Sequence, residues 1–189
     1  VVTTYSPGNT KASEWLSAMK QQGYDFKAYP CDVADWESAA ACVKKVMETT
    51  DYPLILCSFD PKVLRAGLEV AAKTRPLVYA ANKENWQEVA KLVHEFNVPV
   101  VLSVPFDLDG LKSMALTFEQ MGIHDLILDF GTAPNGKKLQ ESLHNLLKLR
   151  RAALEEGQKD IAYPTIALPI NAWFTTKDPV RAAYWESIL

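Results

Sequence analysis

Residues 53–131 carry four short apolar runs at regular intervals: Leu54-Ile55-Leu56-Cys57, Leu77-Val78-Tyr79-Ala80-Ala81, Val100-Val101-Leu102-Ser103-Val104 and Leu126-Ile127-Leu128-Asp129. Each is apolar on consecutive positions rather than alternate ones, the pattern of a strand covered on both faces. Such strands are parallel. Pro53, Pro76 and Pro99 each stand just before a run, where a missing N–H costs the hydrogen-bond ladder least. Between the runs lie helical patterns with Val63, Leu64, Leu68 and Ala71, then Trp86, Val89, Leu92 and Val93, facing inward.

The same unit extends in both directions. Upstream, Val1 to Tyr5 and Asp25 to Tyr29 read as strands, each followed by a helix, Lys11 to Gln21 and Trp36 to Thr49. Downstream, a helix over Lys138 to Glu156 leads to a seventh strand, Thr165 to Pro169, and Asp178-Pro179 opens a last helix. Strand starts recur roughly every 22 to 26 residues except around the long helix, a succession of right-handed βα units. The expected fold is α/β, with about seven repeated parallel βα units, TIM-barrel-like and incomplete. An open doubly wound sheet is the alternative. A single domain over 1–189 follows, with a first segment 1–45 and barrel-like units over 46–189.

Composition bounds the function. With 189 residues, 48% hydrophobic and 23% charged, the chain is globular. A net charge of −3 and the lack of a basic stripe argue against nucleic acid. No apolar run approaches the roughly 20 residues of a membrane span, which predicts no membrane partner and a cytoplasmic location. Cys31, Cys42 and Cys57 show neither CxxC spacing nor a partnering His, so they read as small buried residues in a reducing compartment, with no metal site. The chain opens on Val1-Val2-Thr3-Thr4-Tyr5 without Met, like a piece of something longer.

Ligands of parallel α/β folds bind beyond the carboxyl ends of the strands. There the sequence places a rim of Asp32, Asp60, Asn82, Asp107, Asp129 and Asn171. Asp60 and Asp107 stand at helix starts, where a carboxylate caps orphan N–H groups. No helix follows Asp129 directly, which makes it the rim carboxylate most open to another role. His94, His124 and His144 lie away from strand ends, and Asp129-Phe130-Gly131 has none of the companions of a kinase signature.

Two family resemblances join these readings. Trp15, Gly23-Tyr24-Asp25-Phe26 and Asp32-Val33-Ala34-Asp35-Trp36-Glu37-Ser38 resemble the short-chain dehydrogenase/reductase family, most closely its acetoacetyl-CoA reductases. That resemblance covers residues 1 to about 45. It implies an NADPH-binding remnant using Ser6, Asn9 and Lys11 for the ribose phosphate and Asp32 and Val33 for adenine. The family's glycine-rich loop and its Ser with Tyr-x-x-x-Lys are missing, so neither pyrophosphate cradle nor proton donor is present.

From about Val43 onward the chain resembles the barrel domain of the large (gamma) subunit of the corrinoid/iron–sulfur protein. The carriers are Pro53-Leu54-Ile55-Leu56-Cys57-Ser58, Arg75-Pro76-Leu77-Val78-Tyr79-Ala80-Ala81, Asn85-Trp86, Gly131-Thr132-Ala133-Pro134, Arg150-Arg151-Ala152-Ala153 and Tyr163-Pro164-Thr165-Ile166. Phe130 departs from the family's Pro. The resemblance implies a barrel scaffold in acetyl-CoA pathway methyl transfer, without catalytic residues of its own, that pairs with the small subunit. Corrinoid and iron–sulfur cluster are implied only for the full-length protein. With both resemblances, the sequence reads as a fusion inside the helix between Cys42 and Tyr52. A fold chimera with no biological activity is the remaining alternative.

Overall fold

Strands and helices alternate along the computed structural model, which describes residues 2–32 and 35–189. First come β1 (Val2–Tyr5), α1 (Ala12–Gln21), β2 (Lys27–Pro30) and α2 (Trp36–Met47). Next are β3 (Ile55–Cys57), α3 (Pro61–Ala71), β4 (Leu77–Ala81), α4 (Trp86–Phe96), β5 (Val100–Ser103), α5 (Leu108–Gln120) and β6 (Leu126–Asp129). α6 (Gly136–Leu154), α7 (Asn171–Thr175) and α8 (Pro179–Ile188) complete the order.

Every pairing is parallel. β1 and β2 form a two-stranded sheet, and β3-β4-β5-β6 a four-stranded one in sequence order. The expected α/β class of parallel βα units is therefore present, and among the described residues no closed barrel forms. The expected seventh strand shrinks to one parallel bridge, Thr165 to Leu128. Pro164 and Pro169 bracket it without N–H groups, and the Leu168 N–H donates to Thr132 Oγ1 at 3.1 Å instead of to a neighbouring strand. The short α7 follows, a helix the sequence reading left out.

Helix starts follow side-chain chemistry. Asp35, Asp60, Asp107 and Asp178 each accept a backbone N–H of the first turn, and Pro61 and Pro179 occupy positions where no N–H is needed. At the opposite end of the sheet, Arg75 ties three connections together. Its Nη2 meets Asp125 Oδ2 at 2.5 Å and its Nε donates to the Asn97 carbonyl at 3.1 Å.

The two-residue period of the strands splits the four-stranded sheet into two faces. Val78, Val100, Leu102, Leu126 and Leu128 point toward α3, α4 and α5, where they meet Leu64, Leu68, Val89, Val93, Leu111 and Phe118 in the main core. Leu77, Tyr79, Val101 and Ile127 point the other way and pack with Ile166 and Leu168 of the bridging segment. That cover stops short of the β3 edge, where Ile55 is 56% exposed. Cys57 is exposed beside it, contrary to its reading as a buried residue; Cys31 is half-buried and Cys42 buried.

The first segment is more loosely held. No residue of α1 is fully buried, because a two-stranded sheet gives it a narrow platform; Trp15 instead leans on Phe26 at 5.1 Å. Lys27 is exposed and Tyr29 half-buried. The Tyr29 hydroxyl lies 3.1 Å from Thr49 Oγ1. α2 packs against α3, and its Val43 reaches the main core. The first two strands do not pair with β3, so they do not extend the four-stranded sheet.

Candidate functional site

Register brings three polar side chains together at the carboxyl ends of the central strands. Tyr79 lies opposite Val101, Val101 opposite Ile127, and Ser103 opposite Asp129. With a period of two, Tyr79, Ser103 and Asp129 share one face of the sheet. The Tyr79 hydroxyl donates to Asp129 Oδ2 at 2.9 Å and the Ser103 hydroxyl to the same oxygen at 2.7 Å. Oδ1 accepts the Gly131 N–H at 3.0 Å.

Asp129 is 1% exposed, and both its oxygens are engaged. A buried carboxylate demands such partners, since an unpaired one would carry a large desolvation cost. Burial is the main force pushing the Tyr79 hydroxyl above its usual titration range, and the Asp129 charge adds to it; the Ser103 hydroxyl acts in the opposite sense. Tyr79 therefore stays a neutral donor. The cluster holds a charge in place and leaves neither carboxylate oxygen without a donor.

A groove of about 330 Å3 opens over Ser103, walled by Phe59, Asn82, Lys83, Glu84, Val104 and Pro105. Its rim is braced by local hydrogen bonds. Asn82 Oδ1 accepts from the Glu84 and Asn85 N–H groups, at 2.9 and 3.0 Å. Asn85 Nδ2 donates to the carbonyls of Phe59 and Ala80, joining two strand-end loops. Lys83 Nζ reaches Asp107 Oδ2 at 2.6 Å; that contact, followed by the Gly110 N–H, holds the Asp107 carboxyl below its ordinary range.

The neighbouring loop is tightly fixed. Phe106 has φ +63°, a conformation that costs a bulky residue, and its N–H donates to the Phe130 carbonyl at 3.0 Å. Gly131 has φ +91°, and a Cβ there would lie 2.9 Å from the Phe106 nitrogen. Lys138 Nζ sits 3.9 Å from the centre of the Phe106 ring. Phe130 itself is buried in the core.

The expected rim residues thus serve different ends. Asp60 caps α3 through the Lys62 N–H at 2.8 Å, and Asp107 caps α5 through Gly110 at 2.9 Å. Asn171 Nδ2 donates to the Thr132 carbonyl at 2.8 Å, fixing α7 to the loop after β6. Asp129 alone among the rim carboxylates is buried. The sequence reading gives its partners Tyr79 and Ser103 no role at the strand-end rim; the available signal is a hydroxyl inside an otherwise apolar run.

The residues expected to meet a nucleotide lie past the carboxyl ends of the paired strands β1 and β2, where Tyr5 stands opposite Pro30. Ser6 and Asn9 form the turn after β1, where the Asn9 N–H donates to the Ser6 carbonyl at 2.8 Å and Asn9 Oδ1 accepts the Lys11 N–H at 3.0 Å. Asp32 lies past the end of β2, its N–H held by Ser38 Oγ at 2.9 Å. Val33 lies outside the described residues. A cavity of about 300 Å3 between α1 and its sheet is lined by Asn9 and by mostly apolar neighbours including Trp15 and Leu16.

Residues 13–188 match the family described as CdhD, CO dehydrogenase/acetyl-CoA synthase delta subunit. The chain belongs to this family. Curated relatives carry the name acetyl-CoA decarbonylase/synthase complex subunit gamma. Gamma 2 of Methanosarcina mazei is 56% identical over 151 residues, 79% of this chain and 32% of the relative. Gamma 1 of Methanosarcina thermophila is 56% identical over 168 residues, 88% and 35%. The Archaeoglobus fulgidus subunit is 43% identical over 165 residues, 87% and 35%. The chain spans about a third of the length of these relatives.

The family match takes in α1, β2 and α2, and the 168-residue alignment is longer than everything after residue 45. One family therefore accounts for both sides of the expected junction, and the comparisons lend no support to a fusion or to a reductase segment. An iron–sulfur cluster of four thiolates does not suit this chain, which holds three cysteines, and among the described residues no group of three His, Cys, Asp or Glu could bind a metal ion. No helix among those residues is long and apolar enough to cross a membrane.

Proposed function

We propose that this α/β unit is the barrel scaffold of a corrinoid/iron–sulfur methyl-carrier subunit, working in the cytoplasm within an acetyl-CoA decarbonylase/synthase complex. It contributes by binding its partner rather than by chemistry of its own. The observation that carries this reading is the family match over residues 13–188, with relatives named as gamma subunits of that complex. The satisfied Asp129 cluster supports a structural role at the strand ends, since both carboxylate oxygens are committed to donors. Corrinoid and cluster belong, in this reading, to other parts of the full-length subunit.

The partner is the small subunit of the corrinoid/iron–sulfur protein. The partly uncovered sheet face at Ile55, Cys57 and Phe59 supplies apolar surface for such contact. Mixing the chain with purified small subunit and separating by gel filtration tests the proposal. Co-elution as a stoichiometric complex is expected; separate elution at concentrations of tens of micromolar counts against it.

A further inference from the structure

All three cysteines line one groove of about 470 Å3, bounded by Thr4 of β1 on one side and by Ile55 to Ser58 on the other. Cys31 is anchored just past β2, its N–H donating to the Tyr5 carbonyl at 2.9 Å. Cys42 is on the buried side of α2. Cys31 and Cys42 line this groove together, and Cys31 is the thiol that acts on Cys42, although eleven positions separate them and no sequence motif links them. Burial, reinforced by the Cys31 sulfur, pushes the Cys42 thiol up to about 11. Partial desolvation raises the Cys57 thiol too, and that residue, exposed at the sheet edge, sits across the groove.

We propose that Cys31 and Cys42 form a reversible dithiol–disulfide pair, oxidised by low-molecular-weight disulfides that enter this groove. Cys31 gives its proton to solvent, and its thiolate attacks one sulfur of the small disulfide, whose S–S bond breaks. One small thiolate departs and takes a proton from water, leaving a mixed disulfide on Cys31. Cys42 then gives its proton to solvent and attacks the Cys31 sulfur. The second small thiolate leaves and takes a proton from water, and the protein disulfide forms. Two electrons pass from the cysteines to the small disulfide, which ends as two thiols. The strongly raised Cys42 thiol is the resolving partner rather than the first to react.

The bridge would cross-link the end of β2 to α2, the helix that packs on α3. Oxidation thereby fixes the two-stranded sheet to the rest of the fold along the wall of the groove.

The test is a redox titration of the whole chain with mixtures of reduced and oxidised glutathione, in buffer and in urea, with free thiols trapped and mapped by mass spectrometry. In buffer, the thiol count is expected to fall from three to one, with Cys57 free. The effective concentration of the Cys31–Cys42 pair should exceed that in urea by at least about tenfold, because folding holds the sulfurs together. Cys57→Ser should leave the pair unchanged. Cys42→Ser should stop at glutathione held on Cys31. An equal or lower effective concentration in buffer, or a bridge that uses Cys57, overturns the proposal; the wild-type titration decides without either variant.

Discussion

Tyr79 and Asp129, fifty positions apart, meet through a 2.9 Å hydrogen bond on one face of the sheet, with Ser103 of the intervening strand donating to the same oxygen. Removing one donor from a buried charge is costly. Tyr79→Phe and Ser103→Ala should each lower the unfolding free energy by about 1.5–3 kcal/mol, read from urea unfolding. Their effects should be less than additive, because both act on one oxygen. Additive losses would show that the two hydroxyls act independently.

Stability should fall on the alkaline side through the tyrosines. Tyr79 and Tyr163 are both raised above their ordinary value of 10.0, each first by burial, then by Asp129 for Tyr79 and by Glu119 for Tyr163. A raised acid favours the neutral form in the folded state, so its contribution is complete below pH 10 and is lost as pH rises toward the folded value. Urea midpoints measured from pH 8 to 11 should therefore decline above pH 10. The decline should be shallower in Tyr79→Phe and in Tyr163→Phe; identical slopes in all three proteins would contradict the assignment.

Gly131→Ala tests the packing of the loop after β6 against the loop after β5. The new methyl would meet the Phe106 backbone nitrogen at 2.9 Å, at a residue already in a positive-φ conformation. A loss of about 2 kcal/mol or more is expected, from the strain of that φ together with the clash. Gly136→Ala provides the comparison, since it shares the positive φ but has nothing near its Cβ. It should cost less.

The two faces of the sheet should respond unequally. Leu102→Ala, in the fully buried core, should cost about 2–5 kcal/mol. Ile55→Ala, on the partly uncovered face, should stay within about 1 kcal/mol, since little of that side chain leaves water on folding. Similar losses would mean that both faces are equally packed.

Much of this fold was legible because consecutive apolar runs and capping residues report local rules. Leu77–Ala81 and Leu126–Asp129 occur where the runs stand, and Asp60 and Asp107 cap the helices they precede. Thr165 to Pro169 misled because its composition suits a strand, whereas its hydrogen bonds are set by distant partners: Thr132 takes the N–H of Leu168. The site was half legible. Asp129 stood out as a strand-end carboxylate without a helix to cap. Tyr79 and Ser103 became its partners only through register, which depends on residues in three separate strands. The resemblance over residues 1–45 rested on a short pattern around Asp32, while the longer match from residue 13 joins that segment to the remainder.

Hydrogen–deuterium exchange of the chain, alone and with purified small subunit of the corrinoid/iron–sulfur protein, tests the scaffold role most directly. Slower exchange is predicted in the backbone around Ile55 to Phe59, where the sheet face is partly uncovered, with the already buried Val100 to Ser103 unchanged. Exchange that is identical with and without the partner would contradict a partner-binding scaffold.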